Sequence, residues 1–229
     1  MGKSFKFTLI ELMVVIAIIL ILMSLLLPSL NQVKQKSLQM MCLNNQKQIG
    51  VGILMYANDE NDFIPTLWNG LYSWTDIIAP YCTKYSTPAD AAANRPTKFE
   101  SPKMLNYKIF ACPSKNKIWG DQSAGLVNYV TNYTVNRCLM VYPDSGYDRP
   151  ISKFSIIKIP SQTGLLWDGA IDTGAIAFSK IDGSSGNLEW RHNNGLNILF
   201  ADGHSTYKKR AAILPIAYGA KGNNNNLWQ

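Results

Sequence analysis

The residues near the C-terminus that could bind a metal or move a proton are His192, Asp202 and His204. Imidazole and carboxylate side chains suit metal ligation and acid–base catalysis. Turn-forming residues at 193–195 and 201–203 frame a strand of about five residues between them. At roughly 3.4 Å per residue, His192 and Asp202 would then lie roughly 17 Å apart. We therefore expect the Asp-Gly pair to form a tight turn and His192 to hydrogen-bond nearby backbone.

Other acidic and nucleophilic side chains give no stronger signal of chemistry. No serine lies in a Gly-x-Ser-x-Gly setting, and this includes Ser205 beside His204. We therefore predict no catalytic residues and no enzymatic activity. We also predict no metal or other cofactor. The alternative is calcium, bound by oxygens without the ordered spacing of an EF-hand loop, from Asp168, Asp172, Asp182 and Asp202.

Four cysteines are spread through the chain without a Cys-x-x-Cys motif of the kind that binds metals. In an oxidising compartment, two disulfides in one of three connectivities are expected. We favour Cys42 with Cys112 and Cys82 with Cys138, because the first bond would attach an N-terminal helix to the body. Such bonds typically contribute about 2–4 kcal/mol. The alternative is that some of these cysteines are small buried hydrophobic residues.

The segment from Phe7 to Leu27 is apolar except for Thr8, Glu11 and Ser24. At about 1.5 Å per residue, it would span roughly 31 Å, the thickness of a bilayer's hydrocarbon core. Lysines precede the segment and no second apolar run follows it. This pattern predicts a single transmembrane helix with a cytoplasmic N-terminus and an external body.

The helical period continues after the apolar segment. Pro28 should bend or loosen the helix there, because it removes a backbone hydrogen bond. The pattern predicts one helix from Phe7 to about Asn58, with residues 7–27 in the membrane and an amphipathic part at 28–58 packed on a domain. The predicted stripe toward that domain is Leu30, Val33, Ser37, Met41, Asn45, Ile49, Ile53 and Tyr56.

Residues 59–229 form the predicted globular domain, which is rich in β-structure. A short helix or turn is expected at 71–81 and a polar loop at 83–102. Asn-Asn-Gly and Asp-Gly turns indicate an antiparallel meander in the last third. The fold class is thus α+β. The predicted strands are YKIFAC (107–112), LVNYVTNYTV (126–135), TGLLWDG (163–169), GAIAFSK (174–180), NLEWRH (187–192), LNILFADG (196–203) and STYKKR (205–210).

The N-terminal motif FTLIEL at 7–12, followed by an unbroken apolar helix, closely resembles the processing and methylation motif of type IV pilins and type II secretion pseudopilins. The resemblance implies that a prepilin peptidase removes leader residues 1–6 and that Phe7 becomes an N-methylated terminus. It also implies that Glu11 pairs with the terminal amine of a neighbouring subunit and sets assembly register. Pro28 matches the family's helix-softening proline.

One residue departs from this family's pattern. The family normally has glycine before the cleaved bond, whereas this chain has Lys6. Two outcomes stay open: the cognate peptidase accepts lysine, or the chain remains an uncut signal anchor.

The rest of the chain resembles a pilin-like family abundant in planctomycete- and lentisphaera-type bacteria. That family is marked near its C-terminus by His, nine residues and then Asp-Gly, which His192, Asp202 and Gly203 match. The segments that carry the resemblance are 42–65 (CLNNQKQIGVGILMYANDENDFIP), 111–114 (ACPS), 132–136 (NYTVN), 159–169 (IPSQTGLLWDG) and 191–204 (RHNNGLNILFADGH).

The two resemblances imply a pilin-like fold and a structural role as a filament subunit of a type II secretion or type IV pilus-type system. The expected partners are further pilin-like subunits, the prepilin peptidase, an inner-membrane assembly platform and the membrane. The body would be periplasmic while the subunit is stored in the inner membrane, and the filament periplasmic or on the cell surface. The alternative is an uncleaved anchored binding module for a polysaccharide or secreted substrate. Nucleic acid is not an expected partner, because the net charge of +7 forms no basic stripe with stacking aromatics.

Overall fold

The computed structural model describes residues 8–67, 69–95, 107–115, 131–136, 139–140, 153–169 and 189–212. The chain divides into two compact units, Met1–Ser37 and Leu38–Gln229. A long apolar N-terminal helix and a four-stranded antiparallel sheet make it an α+β protein. These elements agree with the predicted fold class.

Helix α1 runs from Leu9 to Asp59 and contains Pro28 without interruption. It begins with a capping box that the sequence shows as Thr-x-x-Glu. The backbone N–H of Thr8 donates to Glu11 Oε2 at 2.8 Å, and the backbone N–H of Glu11 donates to Thr8 Oγ1 at 3.3 Å. Glu11 therefore has a local role at the start of the helix in addition to any role in assembly.

The part of α1 that lies in the first unit is exposed on all sides, from Leu9 through Ser37. Its large apolar side chains include Leu9 at 75% exposure and Leu25 at 71%. By length and composition, this helix could cross a membrane, and its most apolar window is 0% buried.

The second part of α1, from Leu38 onwards, belongs to the globular unit. The predicted stripe is right at Ile49 and Ile53, which are fully buried. It is wrong at Leu30, Val33 and Met41, which are 64%, 65% and 53% exposed. The buried face of α1 differs from the predicted stripe because it includes the polar side chains of Gln39 and Gln46. Its buried residues are Gln39, Cys42, Gln46, Ile49, Gly50, Gly52, Ile53 and Ala57.

The sheet contains β1 (Tyr133–Val135), β2 (Gly164–Asp168), β3 (Gly195–Phe200) and β4 (Ser205–Lys209). All three neighbouring pairs are antiparallel, in the order β1-β2-β3-β4. Alternate side chains point to opposite faces.

One face of the sheet packs in the main core with α1. Leu166 and Leu199 are paired across β2 and β3 and belong to this core. A Cβ atom at Gly50 would lie 2.7 Å from Leu199 Cδ1, so the missing side chain lets the helix approach β3 closely. The other face carries a separate cluster formed by Trp167, Leu196, Ile198 and Phe200, with Trp190 packed against it.

The predicted turns on both sides of β3 are present. Asn193 and Asn194 have φ of 50° and 58°, and Gly203 has φ of 86°. These are left-handed conformations, which asparagine and glycine tolerate. β3 and β4 form the hairpin closed by the Asp-Gly turn.

Three predicted local structures were wrong. The segment 107–112 forms a 3₁₀ helix at Lys108–Phe110 instead of a strand. The predicted loop at 83–102 contains helix α3 (Pro88–Ala93), which begins with a Thr87 cap and proline in its first turn. The predicted strand at 187–192 is irregular at Glu189 and Trp190 and then turns. Helix α2 (Trp74–Cys82) fits the predicted helix or turn, whereas the predicted strand 174–180 lies outside the described residues.

We expect the buried face of α1 to contribute strongly to the stability of the globular unit. Ile49→Ala should lower the free energy of unfolding by about 2–4 kcal/mol, because it leaves a cavity at a fully buried position. Val51→Ala, two residues away and 57% exposed, is the matched control and should change it by about 0.5 kcal/mol or less. Urea unfolding of the full chain in mild detergent would measure both. Equal losses for the two variants would contradict this packing.

Candidate functional site

Four buried side chains from distant segments meet between α1 and the sheet. Cys42 lies on α1, Cys112 in the loop after the 3₁₀ helix, Asp168 at the end of β2 and His192 in the turn before β3. Cys42, Cys112 and Asp168 are fully buried, and His192 is 3% exposed. Their sulfur, oxygen and nitrogen ligand atoms all lie within 4.8 Å of one another. We call this group the Cys-Cys-Asp-His cluster.

Asp168 is the most heavily hydrogen-bonded member of the cluster. Its Oδ2 accepts from the backbone N–H of Asn197 at 2.7 Å, and its Oδ1 accepts from Gln46 Nε2 at 3.3 Å. The thiol of Cys42 donates to Oδ1 at 3.1 Å. These donors come from α1 and β3, so the carboxylate links the helix to the neighbouring strand.

His192 points into the same cluster instead of bonding only nearby backbone. Its Nε2 lies 3.6 Å from Cys112 Sγ and 3.4 Å from Asp168 Oδ2. Its Nδ1 lies 3.4 Å from Ser114 Oγ. The expected backbone contacts also exist, since the N–H of His192 donates to the Gly195 carbonyl at 3.2 Å. The prediction for this residue therefore missed what its side chain does.

The predicted disulfide between Cys42 and Cys112 is not formed, because both residues are free thiols in the structure. The two cysteines are nevertheless neighbours in space. Their sulfurs instead contact polar groups, Tyr133 Oη at 3.4 Å in the case of Cys42 and His192 in the case of Cys112. Cys82 is also a free thiol, and its predicted partner Cys138 lies outside the described residues.

The two thiols differ in their tendency to ionise. A hydrogen bond from Cys42 lowers the pKa of Cys112, and His192 and Arg191 add to this effect although burial opposes it. Burial raises the pKa of Cys42 well above its ordinary value. Burial also raises the pKa of Asp168 to about 6, with the negative charge of Cys112 as a further cause. Of the two thiols, the surroundings therefore favour the thiolate form at Cys112, whose pKa is lowered.

Positive charge borders the cluster on one side. Arg191 donates to the carbonyls of Asn132 at 2.7 Å and Gly169 at 2.5 Å and pairs with Glu189. Lys115 Nζ lies 3.0 Å from a Glu189 oxygen. These three side chains together carry one net positive charge, and the guanidinium of Arg191 lies close enough to favour the charged forms of Cys112 and Asp168.

Asp202 lies apart from the cluster. Its Oδ1 is 2.5 Å from His204 Nδ1 at the exposed β3–β4 turn. Gly164 pairs with Phe200, so the turn lies at the opposite end of β2 from Asp168. The predicted calcium set is therefore not assembled from Asp168 and Asp202. Its other two members, Asp172 and Asp182, lie outside the described residues, as do the processing residues Lys6 and Phe7.

The sequence alone does not indicate the cluster, because its members are far apart in the chain. Cys112 and His192 are 80 residues apart, and Cys42 and Asp168 are 126 apart. The sequence contains one indication of the cluster. Cys42 and Gln46 can both form hydrogen bonds and lie one helical turn apart, beside a predicted stripe that is mostly apolar. Polar residues on a packing face indicate a buried polar partner.

No protein-family model, no characterised protein and no solved structure matches this chain.

We expect Asp168 to be essential to the stability of the body. Asp168→Ala would remove the buried acceptor of the Asn197 N–H, one of the two acceptors of Gln46 Nε2 and the carboxylate beside His192. The free energy of unfolding should fall by about 2–4 kcal/mol, as is usual when buried polar groups lose partners. Asp202→Ala, which removes a partly exposed carboxylate, is the matched control and should cost about 1 kcal/mol or less. Urea unfolding followed by near-ultraviolet circular dichroism would measure both. A tolerated Asp168→Ala would contradict the geometry of the cluster.

Proposed function

We propose that this protein is a pilin-like structural subunit, stored in the inner membrane and assembled through α1 into a type II secretion or type IV pilus-type filament. The observation that carries the proposal is the exposed apolar surface of α1 from Leu9 to Leu27. In water, such a surface is unfavourable at about 25 cal/mol per Å². A bilayer or a bundle of similar helices would cover it.

The presence of Glu11 favours a function in filament assembly over a function as a simple membrane anchor. An acidic side chain in an apolar membrane helix usually has a functional partner. Both Thr8 hydrogen bonds go to Oε2 of Glu11. Because a carboxylate has roughly four lone-pair sites, it can cap its own helix and still bind a positive group. In the proposal that group is the terminal amine at Phe7 of the next subunit, freed by the prepilin peptidase.

The globular unit supports a scaffold role. Its packing against α1 through Ile49 and Ile53 makes the second half of the helix part of a folded body. In the proposed filament the helices form the core and the sheet domains lie outside, so the role is structural and not enzymatic. Further pilin-like subunits and an inner-membrane assembly platform are the partners this requires.

A second candidate is an uncleaved, membrane-anchored binding module with a periplasmic body. Two observations favour it: Lys6 stands where cleavage would need a small residue, and the capping box gives Glu11 a use in a single helix. In this case the body would hold a polysaccharide or a secreted substrate.

Substitutions at the start of α1 separate capping from intersubunit pairing. Glu11→Gln keeps a side chain able to complete the capping box but removes the charge. We expect this variant, like Glu11→Ala, to insert into the membrane normally and to lose most filament assembly. Sheared-filament yield and membrane fractionation in the source cells would measure the two properties.

Thr8→Ala is the control, since it removes the hydroxyl that bonds to Glu11 and leaves the carboxylate in place. Its filament yield should stay close to that of the unmodified protein. Normal assembly of Glu11→Gln would show that the charge is not needed and would argue for the anchored module.

The mature N-terminus decides between the two candidate functions. We expect the protein recovered from its native membrane to begin at Phe7 and to be heavier by one methyl group. Intact mass and N-terminal sequencing would show this directly. A chain that still carries Lys6 would contradict the filament proposal, because Glu11 would lack its amine partner.

A further inference from the structure

We propose that the Cys-Cys-Asp-His cluster is a structural zinc site that fastens α1 to the sheet of the globular unit. The site is independent of filament assembly, because Cys42, Cys112, Asp168 and His192 all belong to the unit Leu38–Gln229. Two thiolates, an imidazole and a carboxylate match the donor types that bind Zn²⁺ in proteins. Sulfur ligands exclude calcium and magnesium, which prefer oxygen.

Two distances within the cluster fit a tetrahedral ion. With Zn–S of about 2.3 Å and Zn–N and Zn–O of about 2.0–2.2 Å, neighbouring sulfur and nitrogen ligands lie about 3.6 Å apart. Nitrogen and oxygen ligands lie about 3.4 Å apart in the same geometry. The corresponding distances are 3.6 Å from Cys112 Sγ to His192 Nε2 and 3.4 Å from His192 Nε2 to Asp168 Oδ2. Two edges of the tetrahedron are therefore already in place.

The surrounding hydrogen bonds orient the ligands as they do around metal ions. When Nε2 of a histidine binds a metal, its Nδ1–H usually donates to an oxygen, and Ser114 Oγ lies 3.4 Å from Nδ1 of His192. Ligating carboxylates are also held by hydrogen bonds. The backbone N–H of Asn197 and the amide of Gln46 hold Asp168 in this way.

Charge balance also favours a divalent cation. With a cation bound and both thiols deprotonated, the two sulfurs and the carboxylate would carry three negative charges in a region with almost no access to water. A Zn²⁺ ion leaves one negative charge, which the net positive charge of Arg191, Glu189 and Lys115 offsets. Burying isolated charges is costly, so an arrangement that balances them is favoured.

Four protein ligands leave no position for water or substrate, which is the pattern of a structural zinc site. Because the ligands come from α1, the loop at Cys112, β2 and the turn before β3, one ion would join all four segments. Metal binding of this kind contributes directly to folding.

The test uses the full chain, purified in mild detergent with a non-chelating reductant and an affinity tag that contains no histidine. Elemental analysis after exhaustive dialysis should find about one zinc ion per chain. Replacement by Co²⁺ should give the intense visible bands of a tetrahedral thiolate complex, a readout that needs no substitution.

Matched substitutions locate the ion. Cys112→Ser and His192→Gln should reduce retained zinc by about tenfold or more. The controls Cys82→Ser and His204→Gln change the same residue types outside the cluster and should retain it. Removing zinc with a chelator should lower the melting temperature of the unmodified protein and of both controls. If the cluster variants do not fold, the Co²⁺ spectrum and the stoichiometry of the unmodified chain still decide.

Three results would overturn the proposal. One is folded, unmodified protein with background zinc and no tetrahedral Co²⁺ spectrum. A second is a Cys42–Cys112 disulfide, found by peptide mapping of protein from its native membrane, which would assign the same sulfurs to a covalent clamp. The third is that folded Cys112→Ser and His192→Gln retain as much zinc as the unmodified protein, which would mean adventitious binding elsewhere.

Discussion

The structure of the globular unit depends on the burial of one carboxylate, that of Asp168, between a helix and a sheet. An unpaired buried charge is among the most destabilising features that a fold can contain. This constraint explains why α1 presents Cys42 and Gln46 at the contact and why the backbone of Asn197 faces the carboxylate. It also explains why His192 turns inward from a loop. The apolar packing through Ile49, Ile53 and Leu199 continues directly along the helix from this polar centre.

The two parts of α1 differ in how apolar residues are distributed around the helix. From Leu9 to Leu27 the helix is apolar around its whole circumference apart from Glu11 and Ser24, which suits lipid or a helix bundle. From Leu38 it has one buried face and one exposed face, which suits packing on a sheet. A single continuous helix therefore combines a segment that suits an apolar environment with a segment that belongs to the globular unit.

The sequence was sufficient for features that depend on local pattern. The apolar run, the helix ending near Asp59 and the hairpin around Asp202-Gly203 follow from hydrophobic period and turn residues. The cluster was not predictable in this way, because Cys42, Cys112, Asp168 and His192 become neighbours only through tertiary packing. The predicted stripe of α1 included Met41, which is exposed, and left out Cys42 and Gln46, which are buried. The residue types at 107–112 favoured a strand, whereas the structure has a 3₁₀ helix at Lys108–Phe110.

The long sequence separations within the Cys-Cys-Asp-His cluster have a consequence for folding kinetics. Contacts between residues 80 and 126 positions apart require closure of long loops, whose entropic cost is met before their interactions form. The cluster can be complete only after α1, β2 and the turn before β3 have come together. Because Cys42 and Cys112 become buried only when these segments have met, protection of their thiols from a reagent would report completion of the body.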